Sequence, residues 1–168
     1  MAESKTSKLA VYPGTFDPIT NGHLDIAKRA LRLFPKLILA IAPNSRKKPL
    51  FNLEERLEMI REATCGLEGL SIESFEGLLV HYIAQKKASA IIRGIRAVSD
   101  FEFEFQMALM NRKLDASIET VFLMPSEEYS YLSSTLIREV ASYDGNISSL
   151  VPKTVTENLR KKYGSMPS

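Results

Sequence analysis

Residues 9–42 read LAVYPGTFDPITNGHLDIAKRALRLFPKLILAIA, and this stretch decides the fold. It begins and ends with short apolar runs, Leu9–Tyr12 and Leu37–Ala42. The second run is unbroken, which is typical of a strand buried on both faces. Between them, residues 23–34 place apolar side chains at helical spacing, at Leu24, Ala27, Leu31 and Phe34. A strand, a helix and a strand in this order predict a right-handed crossover in a parallel sheet.

The same alternation of strands and helices continues along the chain. Three more strands are predicted, at Ser71–Phe75, Ala90–Ile92 and Thr120–Met124. Helices are predicted over residues 53–64, 78–87, 99–114 and 135–145, and from Pro152 onward. Asn52 is a good N-cap for the first of these helices, and Ser99 with Glu102 predicts a capping box at the third. The pattern predicts an α/β protein with a five-stranded parallel sheet.

Length and composition favour one soluble domain. The 168 residues fit a single domain over 1–168, with residues 1–8 and 164–168 expected to be loose ends. One cysteine and two histidines argue against a disulfide framework and a zinc site. The net charge of +2 does not favour nucleic-acid binding. The N-terminus has no apolar leader and no run is long enough to span a membrane, so we expect a cytoplasmic protein with neither nucleic acid nor membrane as partner.

The unusual residues lie in the loops that follow the strands. In open parallel sheets, ligands bind beyond the carboxyl ends of the strands. The loops at that edge cover residues 12–23, 43–51, 76–78, 93–99 and 125–134. The first of them is rich in proline and glycine and ends at His23, where the next helix begins and where free N–H groups favour anions. The alternative is a plain turn that carries a surface histidine.

Three other loops carry groups that bind phosphate. Arg46, Lys47 and Lys48 form a positive patch, although a charge run of this kind is often only a solvated face. Arg93 and Arg96 suit bidentate contact with phosphates, and the alternative is ion pairing with nearby carboxylates, Asp100, Glu102 or Glu104. Residues 133–135 combine hydroxyls with a helix N-terminus, which is compatible both with simple N-capping and with a phosphate site.

Familiar nucleotide-binding motifs are missing. The sequence has no G-x-x-x-x-G-K-[ST] loop and no G-x-G-x-x-G after the first strand, which argues against a P-loop NTPase and a dinucleotide dehydrogenase. It also has no G-x-S-x-G elbow. Phosphate-binding groups on several loops of one sheet edge therefore predict a nucleotide together with a second phosphorylated molecule.

Several strings resemble a known family. Residues 20–23, TNGH, resemble the T/H-x-G-H signature of the nucleotidyltransferase superfamily, and LSSTLIR at 132–138 resembles its second signature, I-S-S-T-x-x-R. The longer strings YPGTFDPITNGH, KKPLF, IIRGIRAVSDFEFE and VFLMPS are similar to those of the bacterial-type phosphopantetheine adenylyltransferase family. The likeness runs from about Leu9 to Tyr163.

The resemblance implies a fold, a reaction and an assembly. The fold is a Rossmann-like three-layer sandwich. The reaction moves the adenylyl group of ATP to 4′-phosphopantetheine and gives dephospho-coenzyme A and pyrophosphate, the penultimate step of coenzyme A biosynthesis. It proceeds by direct in-line attack, with Mg²⁺ as cofactor and no covalent enzyme intermediate. The assembly is a homohexamer. Catalytic roles fall on His23, Lys47 and Arg96.

The resemblance also assigns binding residues and shows two departures. ATP contacts fall on Thr15, Phe16, His23, Gly94, Ile95, Arg96, Glu104, Tyr129, Ser130, Tyr131, Leu132, Ser133, Ser134 and Thr135. Contacts with phosphopantetheine fall on Thr15, Lys47, Leu79 and Arg93, and no residue is assigned to a metal. Phe103 stands where the family commonly has Tyr, and Tyr129 where it commonly has Trp. Both positions keep an aromatic ring, so we expect altered polar contacts rather than lost function.

Three alternatives remain at this point. One is a nucleotidyltransferase with another acceptor, such as nicotinamide mononucleotide or glycerol 3-phosphate, against which the RGIRAVSDFEFE and KKPLF strings argue. Another is a non-catalytic nucleotide sensor, which the presence of both His23 and Lys47 disfavours. The third is nucleic-acid binding by Arg46–Lys48 and Arg160–Lys162, which predicts strongly salt-dependent association.

Overall fold

The sheet of the computed structural model, which describes residues 8–42 and 48–164, is parallel throughout. The described residues form five strands: β1 (Leu9–Gly14), β2 (Lys36–Ile41), β3 (Leu70–Ser74), β4 (Ala90–Gly94) and β5 (Glu119–Leu123). Their order in the sheet is β3-β2-β1-β4-β5. The five predicted strands and the parallel sheet are thus confirmed, with bounds that differ by one or two residues.

Six α-helices connect and cover the strands of the described part. They are α1 (Asn21–Leu33), α2 (Leu53–Ala63), α3 (Leu79–Lys86), α4 (Val98–Leu114), α5 (Ser134–Ser142) and α6 (Lys153–Tyr163). A short 3-10 helix spans Glu127–Tyr129. The predicted termini 1–8 and 164–168 lie almost entirely outside the described residues, so their expected looseness stays a prediction.

Alternation along the central strands gives the sheet two apolar faces. Leu37, Leu39 and Ile41 point to a core cluster that includes residues of α1, α2, α5 and α6. Ile38 and Ala40 point to a second cluster with residues of α3. Because successive side chains of a strand face opposite sides, one apolar run supplies both cores. The result is the three-layer sandwich that the family resemblance implies.

The caps of two helices show where local sequence reasoning succeeded and where it was wrong. Asn52 caps α2 through a capping box, in which its side chain accepts from the amide of Glu55 at 2.9 Å. The predicted box of Ser99 with Glu102 is wrong, because α4 begins at Val98 with Ala97 as its N-cap. Ser99 therefore lies inside the helix. The residue that contacts the loop is Asp100, whose carboxylate accepts from the Arg96 side chain at 3.0 Å.

The strand order creates a crevice at one edge of the sheet. From β1 the chain winds outward through β2 to β3, and it then returns to place β4 on the other side of β1. The loops that leave β1 and β4 therefore diverge to opposite faces. In open α/β sheets such a switch point is where ligands bind, and here it lies between residues 12–16 and 93–96.

Candidate active site

A cavity of about 290 Å³ lies at this switch point. Most of the predicted site residues line it: Thr15, Phe16, His23, Arg93, Gly94, Arg96, Glu104, Tyr129, Leu132, Ser133, Ser134 and Thr135. Three predicted residues, Ile95, Ser130 and Tyr131, lie beside the cavity without lining it, and Lys47 falls outside the described residues. The fold therefore brings together groups from three loops and from α4 that are far apart in the sequence.

The loop after β1 is shaped by packing between aromatic rings. Phe16 adopts a positive φ of 47°, which is uncommon for a residue with a side chain, and its ring is buried. The ring packs edge-on against Tyr12, with centroids 5.5 Å apart, and against His23, with centroids 5.2 Å apart. A Cβ at Gly14 would lie 2.8 Å from a carbon of the same ring. Glycine is required there because the turn folds Phe16 back under the loop.

His23 is held by a capping box at the start of α1. Its Nδ1 accepts the backbone N–H of Thr20 at 3.0 Å, and the Thr20 side chain in turn lies 3.4 Å from the amide of His23. A nitrogen that accepts a backbone N–H carries no proton, so the proton of the neutral ring sits on Nε2. The cap therefore sets the tautomer and leaves His23 with a single donor, Nε2–H.

The charge state of His23 follows from its surroundings. Burial, with a smaller contribution from the nearby guanidinium of Arg96, lowers the pKa of His23 from 6.5 to about 4. The ring is thus neutral at physiological pH. Because the folded-state pKa lies below the ordinary value, His23 contributes stability that is complete above about pH 6.5 and is lost as the pH falls toward 4.

We predict that His23 stays a neutral Nε2–H tautomer from about pH 8 down to about pH 5. Ring ¹⁵N–¹H correlation spectra measure this directly. A His81→Asn variant simplifies the measurement, since His81 is the only other histidine of the chain. A titration midpoint near 6.5, or spectra of the Nδ1–H tautomer, would contradict the assignment.

Arg93, near the end of β4, and Arg96, in the loop that follows, are both paired with carboxylates, as the alternative interpretation of the sequence held. Arg93 makes a two-pronged ion pair with Glu104 and donates to the carbonyl of Pro13 at 3.2 Å. Arg96 pairs with Asp100 and donates to the carbonyl of Leu132 at 2.6 Å. Both side chains nonetheless line the cavity. The ion pairs fix the guanidinium planes at the cavity wall, which is compatible with contact to a phosphate.

The start of α5 presents backbone amides rather than hydroxyls. The Ser133 hydroxyl caps the helix by accepting from the amide of Leu136 at 3.0 Å, and the Ser134 hydroxyl donates to the carbonyl of Pro18 at 2.7 Å. Thr135 accepts from Arg138 at 3.3 Å. The hydroxyls thus hold the loop in place. The amides of Ser134 and Thr135 form the open N-terminal turn, the part of a helix that favours anions.

Asp17 joins three parts of the site, although it is not among the site residues that the sequence predicted. Its carboxylate is buried, with 4% exposure, and accepts the backbone amides of Leu50 and Phe51, each at 2.9 Å. Arg138 of α5 donates to the Asp17 carbonyl and lies 3.3 Å from its carboxylate. Asp17 therefore ties the loop after β1 to the segment before α2 and to the second signature.

A buried arginine of α2 also holds the loop after β1. Arg56 of α2 is 2% exposed, and its guanidinium donates to the carbonyl of Thr15 at 2.8 Å. Its Nε also donates to the carbonyl of Asn52 at 3.3 Å. No local sequence pattern predicts the roles of Arg56 and Asp17. The partners in their main contacts lie more than 30 positions away along the chain.

A second, smaller cavity of about 80 Å³ adjoins the first and shares Arg93 and Glu104 with it. Leu79, which was predicted to contact pantetheine, lines this second cavity together with Met107 and the buried amide residue Asn111. Phe103, one of the two departures from the family strings, also lines it and is 61% exposed. The other departure, Tyr129, lines the main cavity next to Gly22. Asn111 was missed because an amide inside a helix carries no sequence signal.

Comparison with known proteins shows the family. Residues 11–140 match the Cytidylyltransferase-like family. A phosphopantetheine adenylyltransferase of Thermodesulfovibrio yellowstonii is 58% identical, over 94% of this chain and 98% of that protein. The chain belongs to the phosphopantetheine adenylyltransferase family of nucleotidyltransferases. The phosphopantetheine adenylyltransferase of Moorella thermoacetica is 55% identical, over 94% of this chain and 98% of that protein. That of Carboxydothermus hydrogenoformans is 57% identical, over 93% of this chain and 96% of that protein.

A solved structure supports the fold of the family. A putative nicotinate-nucleotide adenylyltransferase from Vibrio parahaemolyticus superposes with a TM-score of 0.72, at 16% identity, over 95% of this chain and 97% of that one. Such a distant likeness bears on the fold alone.

Two further findings concern the described residues only. None of their helices combines the length and apolar character needed to cross a membrane. No group of three or more His, Cys, Asp or Glu side chains among them could hold a metal ion.

Proposed function

We propose that this chain transfers the adenylyl group of ATP to 4′-phosphopantetheine, giving dephospho-coenzyme A and pyrophosphate in the cytoplasm. The observation that carries the proposal is the convergence, in one cavity, of the neutral donor of His23, the guanidinium of Arg96 and the open amides of α5. These are three kinds of group that stabilise phosphate charge. The acceptor is inferred from the name that the relatives share.

The chemistry needs orientation more than covalent participation. An oxygen of the pantetheine phosphate attacks the α-phosphorus of ATP, and the bond from that phosphorus to the bridging oxygen of the β-phosphate breaks. The electron pair of this bond leaves with pyrophosphate. Because the nucleophile is already an anion, no general base is required. Catalysis then rests on alignment and on stabilising the charge that develops at the α-phosphate.

His23 is suited to the α-phosphate. Its Nε2–H is a donor at all working pH values, since the Thr20 amide occupies Nδ1 and burial keeps the ring neutral. Because the ring is neutral, it keeps its Nε2–H proton beside the phosphate and needs no change of protonation state during the reaction. We assign it to the oxygen whose charge grows in the transition state.

The remaining phosphates are assigned to the facing wall of the cavity. Arg96 lies in the loop after β4, and the amides of Ser134 and Thr135 open α5. The hydrogen bond from Arg96 to the carbonyl of Leu132 joins these two segments. We propose that they hold the β- and γ-phosphates, while the backbone of Thr15 and Phe16 positions the nucleotide. Gly94, Ile95, Glu104 and residues 129–132 complete the proposed ATP site.

The acceptor is assigned to the side of the cavity near Arg93. The adjoining cavity offers apolar walls at Leu79 and Met107 and a buried amide at Asn111, which suits an arm of methylenes and amide groups. Arg93 lines both cavities and can contact the pantetheine phosphate or its arm. Lys47 stays a prediction as the second phosphate ligand, with Thr15 between the two substrates.

Mg²⁺ fits this site as a companion of ATP rather than as a resident ion. Mg²⁺ usually keeps several waters and binds through one or two carboxylates and substrate phosphates. The two carboxylates that line the main cavity, Asp100 and Glu104, are each paired with an arginine. We therefore assign no protein ligand to the ion. Bound to the triphosphate, it supplies charge neutralisation at the leaving pyrophosphate.

We also propose that the chain assembles as a homohexamer through α4. Seven large apolar side chains of this one helix are exposed: Phe101, Phe103, Phe105, Met107, Leu109, Met110 and Leu114. Single exposed apolar residues are ordinary, but a helix that exposes so many is typical of a surface covered by another subunit. The proposed copy number comes from the family resemblance.

Charged substitutions on α4 are predicted to break the assembly. Met110→Glu combined with Leu114→Glu places two charges on side chains that are 56% and 52% exposed and that line neither cavity. Sedimentation velocity is expected to show a hexamer for the wild type and smaller species for the double variant. Lys113→Glu, on the same helix turn, is the matched control and should leave the hexamer intact. A monomeric wild type, or a double variant of unchanged size, would overturn the proposal.

The proposed reaction is tested by pyrophosphate release. The wild type is incubated with ATP, Mg²⁺ and 4′-phosphopantetheine, and each component is omitted in turn. Release that needs all three, with dephospho-coenzyme A identified by mass spectrometry, is the expected result. Parallel reactions with CTP in place of ATP, and with nicotinamide mononucleotide or glycerol 3-phosphate as acceptor, test the other transferase reactions. Release with one of those acceptors but not with phosphopantetheine would overturn the assignment.

A further inference from the structure

One hydroxyl at the site has no assigned task. Tyr12 belongs to β1, its side chain is 5% exposed, and it lines the main cavity. Among the described residues, its hydroxyl has no hydrogen-bond partner, whereas most other polar groups around the cavity have one. The hydroxyl of this buried ring is therefore a donor that is open to the cavity and available to a molecule that binds there.

The position of this hydroxyl is fixed by close packing. The Tyr12 ring is held edge-on by Phe16. On the other side, a Cβ at Gly94 would lie 3.6 Å from the Tyr12 oxygen and 3.3 Å from Ile26. The oxygen therefore stands beside the end of β4, at the switch point between the two central strands.

The other buried phenol of the chain provides a contrast. Tyr82 of α3 is 7% exposed, and its hydroxyl donates to the carboxylate of Glu73 at 2.9 Å. It lines neither of the two cavities at the switch point. The same residue type at similar burial is thus satisfied by protein where no ligand is expected and unsatisfied where the ligand is expected.

The surrounding charges indicate what the partner is. The guanidinium groups of Arg93 and Arg96 and the carboxylate of Glu104 all act on the phenol. Glu104 is paired with Arg93 and Asp100 with Arg96, so the two carboxylates of the wall are occupied and the wall stays rich in N–H donors. Burial raises the pKa of Tyr12 well above its usual range, so the hydroxyl remains a donor at every working pH. A donor that lines the same cavity as two guanidinium groups suits an anionic oxygen.

We propose that Tyr12 Oη donates a hydrogen bond to a phosphate oxygen of a bound substrate, which makes Tyr12 a substrate-binding residue of this site. The inference rests on the proposed function, since both substrates of that reaction carry phosphate. The oxygen belongs to ATP or to phosphopantetheine, and the two sources are separated by experiment.

Tyr12→Phe is the test, because it removes the hydroxyl and keeps the ring that packs on Phe16. The variant is expected to lose about tenfold or more in kcat/KM for the substrate whose phosphate Tyr12 binds, the usual scale for a hydrogen bond to a charged group. Its melting temperature without ligand should not fall, because the packed ring is kept and the hydroxyl makes no hydrogen bond to a described residue. Tyr82→Phe is the matched control, with a lower melting temperature and unchanged kinetics.

Varying ATP and 4′-phosphopantetheine separately identifies the source of the phosphate. Calorimetric binding of Mg²⁺-ATP and of 4′-phosphopantetheine to both proteins separates this inference from the proposed function. If the wild type releases no pyrophosphate but Tyr12→Phe weakens binding of either compound, the reaction is wrong and the role of Tyr12 stands. Unchanged kinetics and unchanged binding in Tyr12→Phe would overturn the inference. So would a wild type that binds neither compound.

Discussion

His23→Ala is expected to lower kcat by about 10²- to 10³-fold, the usual cost of removing one donor aimed at a developing oxyanion. The expectation follows from the capping box, which occupies Nδ1 and leaves Nε2–H as the only donor of a ring that lines the cavity. Alanine removes that donor, and because His23 is neutral, the substitution leaves no charged group without its partner. Steady-state pyrophosphate release measures the loss, and the KM values for both substrates should change far less than kcat.

A structural explanation of that loss can be separated from a chemical one. His23 is also part of the N-terminal cap of α1, so alanine should cost about 1 kcal/mol of stability. This leaves the fold intact, which circular dichroism and thermal unfolding check. His81→Ala, at the exposed second histidine on α3, is the control and should keep the full rate. Unchanged turnover in folded His23→Ala would remove His23 from the mechanism.

The features that the sequence predicted are those set by local patterns. The unbroken run LILAIA predicts burial on both faces, and it supplies most of β2, an interior strand between β3 and β1. Because the strands are parallel, the loops that follow them all lie at one edge of the sheet, at the carboxyl ends of the strands. For this reason, His23, Arg96 and the start of α5 could be predicted to lie close together although more than 100 positions separate the first from the last.

The features that the sequence did not predict depend on contacts across the fold. Ser99 and Glu102 have the spacing of a capping box, yet the loop around Arg96 starts the helix one residue before Ser99. Tyr12 looked like the end of a strand, and only the packing of Gly94 against it shows where its hydroxyl stands. The role of Asp17 was not predicted because its partners lie 33, 34 and 121 positions away.

Asp17→Ala is expected to lower the free energy of unfolding by about 3 kcal/mol, the lower end of the usual cost of breaking a buried ion pair. The carboxylate is 4% exposed and serves the amides of Leu50 and Phe51 as well as Arg138. Alanine leaves both amides without their acceptor. Arg138 is 27% exposed and can reach water, which places the cost at the lower end.

Urea unfolding measures this effect against two comparisons. Glu119→Ala removes an exposed carboxylate that is paired with Arg112, and it should change stability by less than about 1 kcal/mol. Asp17→Asn keeps the shape and one acceptor oxygen, so it should fall between alanine and the wild type. Turnover should fall in the same order as stability, because the loop held by Asp17 carries both Thr15 and His23. If Asp17→Ala were as stable as Glu119→Ala, the loop would be held by its own turn and by Arg56 rather than by this carboxylate.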